Sequence, residues 1–217
     1  MPLRRSIELH DGDLLVHFER NHEFNRELRR LTRATDLRFD WGARAYRLGV
    51  AAARSPEVCH NLREFAIRHQ LTFGRTAARL LGAFVTRNSI QRIQAELSVI
   101  EEKRHRGRSL PDLAADGGLE LMERLAYRAT QLQAMLTWPA FGTRPSECDL
   151  VSPGCVIQVR FSDGARQTVI ISAVDISGYD RFSPFQQAGR AAAVSRVGQG
   201  WLLEKGRGSV QIVAITD

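Results

Sequence analysis

The run SPFQQAGRAAAVSRVGQGWLLEKGRGSVQIVAI, residues 183–215, decides how the chain is read. A Ser-Pro stop at Ser183 and Pro184 leads into a short Ala-rich helix with Gly189-Arg190 near its start. A turn at Val197-Gly198 ends it, and strand-like residues follow from Trp201. The pattern is already β further upstream. Val151-Ser152-Pro153-Gly154 reads as a turn, CVIQVRF (155–161) alternates apolar and polar residues, Asp163-Gly164 marks a hairpin, and QTVIISAVD (167–175) returns. Residues 146–217 are therefore expected to form one small antiparallel β domain with a short helix.

Working back, residues 74–138 read as two long helices around a loop. Ile90, Ile93, Leu97 and Ile100 are spaced as the apolar seam of a coiled coil, and Leu121, Leu125, Leu132 and Met135 repeat it, with Arg128 interrupting. Between them GRSLPDLAADGG (107–118) holds Gly107, Pro111, Gly117 and Gly118, all helix breakers. The economical structure is an antiparallel helical hairpin with its tip near residues 106–118. Trp138-Pro139 ends it, and AFGTRPSECD (140–149) reads as a linker.

This order, a helical hairpin directly before that tail, resembles the bacterial Gre transcript-cleavage factors. The resemblance implies an FKBP-like C-terminal domain that docks on RNA polymerase at the rim of its secondary channel, with Ser183, Pro184 and Phe185 at the contact. It implies a coiled coil reaching toward the polymerase active site, where tip acids help hold a magnesium ion shared with the polymerase. In the family's D-L-x-E-N-like tip, Asp112-Leu113 matches the first two positions, the next acid falls at Ala115, and Asp116 lies one residue later. Asp112 and Asp116 are thus the candidate catalytic and metal-binding residues; their alternative role is to cap the helix expected to start near Leu119. The preceding KRHRGR (103–108) places cations where a metal must sit, so cleavage stimulation is expected to be weak or absent. No intrinsic cofactor is expected, and the chain is read as a factor, not an enzyme. An isomerase role does not follow from an FKBP-like fold.

Residues 1–73 read as a small α/β domain. Leu14, Leu15, Val16 and Phe18 follow an Asp11-Gly12 turn; Asn21 can cap a helix carrying Phe24, Leu28 and Leu31. Leu37 and Phe39 lead to a turn at Asp40-Trp41-Gly42, Ala45, Tyr46 and Leu48 return, and Ser55-Pro56-Glu57 starts a second helix. An Asp-Trp pair before an Arg-Tyr-Arg strand resembles the HARP-like domain beside the motors of annealing helicases. Arg29, Arg30, Arg33, Arg38, Arg44 and Arg47 with Trp41 and Tyr46 are candidate DNA- or RNA-binding residues, since arginines grip phosphate and aromatics stack on bases. The alternative function is a nucleic-acid-binding accessory protein acting through this basic domain.

Composition bounds these readings. The 217 residues carry a net charge of +7, and the only lysines are Lys103 and Lys205, so the positive charge is nearly all arginine. Three cysteines without a CxxC exclude a disulfide framework or zinc ribbon. No apolar run approaches a membrane span, and MPLRRSIELHDGD has no apolar signal core, so a cytoplasmic monomer is expected. The histidines show no metal-ligand spacing, and no Walker A, GxGxxG or zincin motif is present.

Overall fold

The computed structural model describes residues 5–32, 37–51, 55–108, 118–203 and 208–217. Over these it is mixed α/β, with six helices and three sheets. No helix among the described residues is long and apolar enough to cross a membrane.

The first sheet is built from two hairpins. β1 (Ser6–His10) and β2 (Asp13–His17) turn at Asp11-Gly12. α1 (His22–Thr32) starts at Asn21, whose Oδ1 accepts the N–H groups of Glu23 and Phe24 at 2.7 and 3.3 Å. β3 (Arg38–Asp40) and β4 (Ala45–Gly49) follow. α2 (Pro56–His69) opens at Ser55, whose hydroxyl accepts the Val58 N–H, with proline in the first turn. β5 (Thr72–Phe73) lies parallel to β1, giving the order β3-β4-β2-β1-β5. Ile7, Leu14, Val16, Tyr46 and Leu48 of the sheet share one core with Phe24 and Leu28 of α1 and Leu62 and Phe65 of α2.

Residues 74–138 hold more than two helices. α3 (Arg75–Leu81) is a separate short helix, stopped at Gly82 by a left-handed φ of 62° that glycine adopts without steric cost. β6 (Val85–Thr86) then precedes α4 (Arg87–Arg108). Thr86 and Ser89 cap α4 reciprocally: the Thr86 N–H donates to Ser89 Oγ at 2.6 Å and the Ser89 N–H to Thr86 Oγ1 at 3.2 Å. α4 runs on through Gly107, where a break was expected, because one glycine weakens a helix by only ~1 kcal/mol. α5 (Gly118–Met135) follows.

The stretch read as a linker is fixed in place. β7 (Ala140–Phe141) pairs in parallel with β6, and Phe141 and Cys148 are buried. The Arg144 guanidinium donates to Ser152 Oγ and to the Cys148 and Leu150 carbonyls. The first core also runs past residue 73, taking in Ile93, Leu97 and Ile100 of α4 and Leu125, Leu132 and Met135 of α5.

The last part is the second sheet. It contains β8 (Val156–Phe161), β9 (Arg166–Ile171), β10 (Asp180–Phe182), β11 (Gly200–Leu202) and β12 (Ser209–Thr216), in the order β10-β9-β8-β12-β11, with α6 (Gln187–Ala193) between β10 and β11. Its core is Val151, Cys155, Ile157, Val159, Val169, Ala192, Val210 and Ile212. The sheet is not wholly antiparallel as expected. β10 pairs with β9 in parallel, Asp180 opposite Val169, because residues 172–179 carry the chain back along the sheet instead of turning it directly.

Candidate functional site

Glu96 and Arg128 join α4, α5 and the second sheet. Arg128 interrupts its seam because it meets Glu96 across the helix pair: Nε and Nη2 donate to the two carboxylate oxygens at 2.9 and 3.1 Å. Glu96 Oε1 also accepts the Ala173 N–H at 2.8 Å, and Arg128 Nη2 reaches the Ile171 carbonyl at 3.3 Å. Both side chains are over nine-tenths buried. Arg92 adds a bond to the Gly154 carbonyl at 2.8 Å. Glu96 stands 12 residues before the end of α4 and Arg128 10 residues after the start of α5, so the helices run antiparallel. Arg128 in its seam is the one sequence signal for this junction; Glu96 lies beside the α4 seam, not on it.

Beyond Ile100, α4 continues for eight more residues, about 12 Å at ~1.5 Å each. Glu101, Glu102, Lys103, His105 and Arg106 there are exposed, as are Leu119 and Leu121 on α5 (69% and 49%). Glu102–Arg106 and Glu120–Arg124 ion pairs span single turns of this free end. Asp112 and Asp116 lie outside the described residues. Among the described residues no group of three or more His, Cys, Asp or Glu is placed to hold a metal ion.

The Ser-Pro corner is tightly made. A Cβ on Gly189 would stand 2.0 Å from the Ser183 carbonyl oxygen and 3.0 Å from the Pro184 nitrogen, so α6 presses directly on the backbone of the corner and only glycine fits. The Ser183 hydroxyl accepts the Phe185 N–H at 3.4 Å. Ser183 is buried, Pro184 and Phe185 are half-buried, and Phe185 packs against the first core. Its ring is therefore a joint between the two parts of the chain more than a free anchor.

The basic candidates separate. Trp41 is 68% exposed, with the Arg20 guanidinium 4.8 Å from its ring centre, and Arg30, Arg38 and Arg44 are exposed. Arg29 donates to the Leu37 carbonyl, and Arg47 is paired with Asp13 and Asp40 at 2.9 and 3.1 Å. The N–H of Ala43 and then the Arg47 guanidinium hold the Asp40 carboxyl below its ordinary range. Tyr46 cannot stack on a base: it is fully buried, its hydroxyl accepting the Asn21 N–H at 2.9 Å and donating to the Asn21 carbonyl at 3.1 Å. Arg33 lies outside the described residues.

Two groups missed by sequence reasoning stand where α2 meets the second sheet. Arg63, 5% exposed, donates to the carbonyls of Gly82, Val151 and Ala193 at 3.2, 2.6 and 3.0 Å. Burial lowers its pKa. Burial, then the nearby Arg63 charge, pushes His60 down to about 3, so this imidazole is neutral. Its place on the helix face shared with Cys59, Leu62 and Ala66 was the available signal for Arg63.

No family model and no curated protein matches the sequence. Among solved structures, the chain is similar to the GreA factor homolog 1 (Gfh1) protein of Thermus thermophilus, at 17% identity over 62% of this chain and 98% of that one, with a TM-score of 0.27. It is similar to Gfh1 of Thermus aquaticus at 18% identity, 62% and 97% coverage and a TM-score of 0.29. It is also similar to the prokaryotic transcription elongation factor GreA/GreB from Nitrosomonas europaea, at 16% identity, 62% and 97% coverage and a TM-score of 0.29. Overlays this loose carry no argument about what this chain does.

Proposed function

We propose that the chain is a Gre-like transcription factor that binds RNA polymerase at its secondary channel and modulates elongation or the rescue of backtracked complexes. The observation that carries this reading is the arm made by α4 and α5. It is anchored at Glu96–Arg128, and the described residues of its outer part are largely exposed, Leu119 and Leu121 among them. Exposed large apolar side chains on a projecting element suit a partner surface. The resemblance of residues 146–217 to the family's tail supports the same reading, with an FKBP-like unit as the docking body and a coiled-coil arm. Pro184 is the member of the expected contact left for a partner, since Ser183 is buried and Phe185, half-buried like Pro184, is engaged with the core.

The chain works on the polymerase and is not itself an enzyme in this reading. Magnesium takes hard oxygen ligands. The described end of the arm offers Glu101 and Glu102 beside Lys103, Arg104 and Arg106, and Glu102 is already paired with Arg106. Those cations, close in sequence to Asp112 and Asp116, disfavour a metal there, and in this reading the arm acts by occupying space and making contacts and stimulates little cleavage.

Capture of bacterial core RNA polymerase tests the proposal. Wild type retains the polymerase and Pro184→Ala retains less. Replacing residues 101–124 with a short turn leaves Glu96 and Arg128 in place; that variant still captures polymerase but no longer alters elongation rate. Failure of the wild type to retain polymerase, or an unchanged effect from the shortened arm, refutes the reading.

A second reading, nucleic-acid binding, is favoured by one observation: Trp41 is exposed and covered on one side by Arg20. A guanidinium on an indole beside further exposed arginines suits phosphate and base contact.

A further inference from the structure

Between α2, α5, α6 and residues 151–155 lies a cavity of about 660 Å³, which the second sheet touches at Ile171. This is within the ~300–1,000 Å³ typical of small-molecule sites. Its apolar lining includes Met135, Trp138, Val151, Ile171 and Phe185, drawn from both cores and the segment between them. Four arginines also line it: Arg124 is paired with Glu120, and Arg63, Arg128 and Arg190 have incomplete partners. Arg63 is nineteen-twentieths buried, yet its bonds go only to carbonyl oxygens, and no carboxylate among the described residues lies within ion-pair distance. Arg128 leaves Nη1 without a hydrogen bond to a described residue after Nε and Nη2 are engaged. Arg190, exposed at the rim, makes no ion pair with a described residue.

Two carboxylates border the cavity, Glu64 and Glu123. Glu64 is engaged by the Gln131 amide at 2.8 Å and the Tyr127 hydroxyl at 3.4 Å. Neither bonds Arg63, although the Glu64 charge reaches it through space. A buried guanidinium with no bonded carboxylate is unfavourable, and an anion that reaches it lowers that penalty. Trp138 and Phe185 supply flat apolar walls for the rest of such a molecule.

We propose that this cavity binds a small organic anion with a planar apolar body, its acidic group facing Arg63 and Arg190 and its rings against Trp138 and Phe185. The cavity borders the arm at Arg124 and the Ser-Pro corner at Pro184 and Phe185, and binding of a small anion there does not require that the chain bind polymerase. A molecule there touches α2, α5 and α6 together, so it stabilises their joint.

The test uses a matched pair of probes, 8-anilinonaphthalene-1-sulfonate and its uncharged analogue N-phenyl-1-naphthylamine. The sulfonate should bind the full chain at one site, measured by calorimetry, and raise its melting temperature. Arg190→Glu, a change at an exposed residue, should weaken the sulfonate about tenfold or more, the size of one lost charged hydrogen bond. It should leave the uncharged probe within about twofold. Ala193→Phe, which fills the cavity, should weaken both. Absence of a saturable single site, equal sulfonate affinity in wild type and Arg190→Glu, or tight binding that survives Ala193→Phe would each overturn the proposal.

Discussion

Removing the Glu96 side chain should release the arm from its root. Glu96→Ala strips Arg128 of its counterion while leaving the guanidinium buried, and leaves the Ala173 N–H without its acceptor. Breaking a buried pair by deleting one member costs about 3–5 kcal/mol, and an orphaned buried N–H adds about 1–3. The terms overlap, so the expected loss is roughly 4–6 kcal/mol, a large share of the ~5–15 kcal/mol that holds a domain folded. Glu96→Gln loses the charge and keeps only one acceptor oxygen, its NH2 meeting a donor in place of the other, for about 2–3 kcal/mol. Arg128→Met alone leaves a buried carboxylate and falls near Glu96→Ala. The double variant Glu96→Leu with Arg128→Met leaves no charge to desolvate, and should recover to within about 1–2 kcal/mol of wild type apart from the Ala173 amide. The assay is urea denaturation followed by circular dichroism, with midpoints compared at constant slope. Losses that simply add in the double variant, or single variants within about 1 kcal/mol of wild type, refute the argument.

Other outcomes follow from single contacts. Gly189→Ala gains ~1 kcal/mol of helix propensity but drives a Cβ into the Ser183 carbonyl, so the protein should lose about 1–3 kcal/mol net; a higher melting temperature would refute the close approach. His60 has its folded pKa lowered to about 3, whereas the unfolded side chain titrates near the usual 6.5. As pH falls through that window the unfolded chain takes up a proton that the folded chain refuses, so stability falls. His60→Asn should flatten that acid limb in denaturation curves between pH 7 and 4, and parallel curves for the two proteins would count against it. Trp41→Ala should weaken single-stranded DNA binding by about 1–3 kcal/mol if the second reading holds, with affinity falling steeply as salt rises; salt-independent binding would point away from phosphate contact.

The local grammar of the chain was readable. Ser55-Pro56 starts α2, and Ile93, Leu97 and Ile100 are buried in the same core as Leu125, Leu132 and Met135. What escaped depends on partners far off in sequence. Arg128 looked like a flaw in its seam until Glu96, Ile171 and Ala173 were brought beside it. Residues 140–149 have linker composition, yet Phe141 lies under Arg75 and Arg79, which reach it from α3. Trp41 and Tyr46 belong to one short motif and meet opposite fates, one exposed and one buried, because only Tyr46 finds a backbone partner at Asn21. The cavity is invisible in the sequence because no single element contains it.

The two-stranded sheet of β6 and β7 has a mechanical consequence. β6 ends at Thr86, where α4 begins, and β7 starts at Ala140, five residues after the end of α5, with the Val85 N–H donating to the Pro139 carbonyl at 3.2 Å. Both legs of the arm are clipped together at the ankle. A sideways load on the far end is therefore carried to the body as leverage on one shared hinge line, and the two legs swing together where unclipped ones would splay.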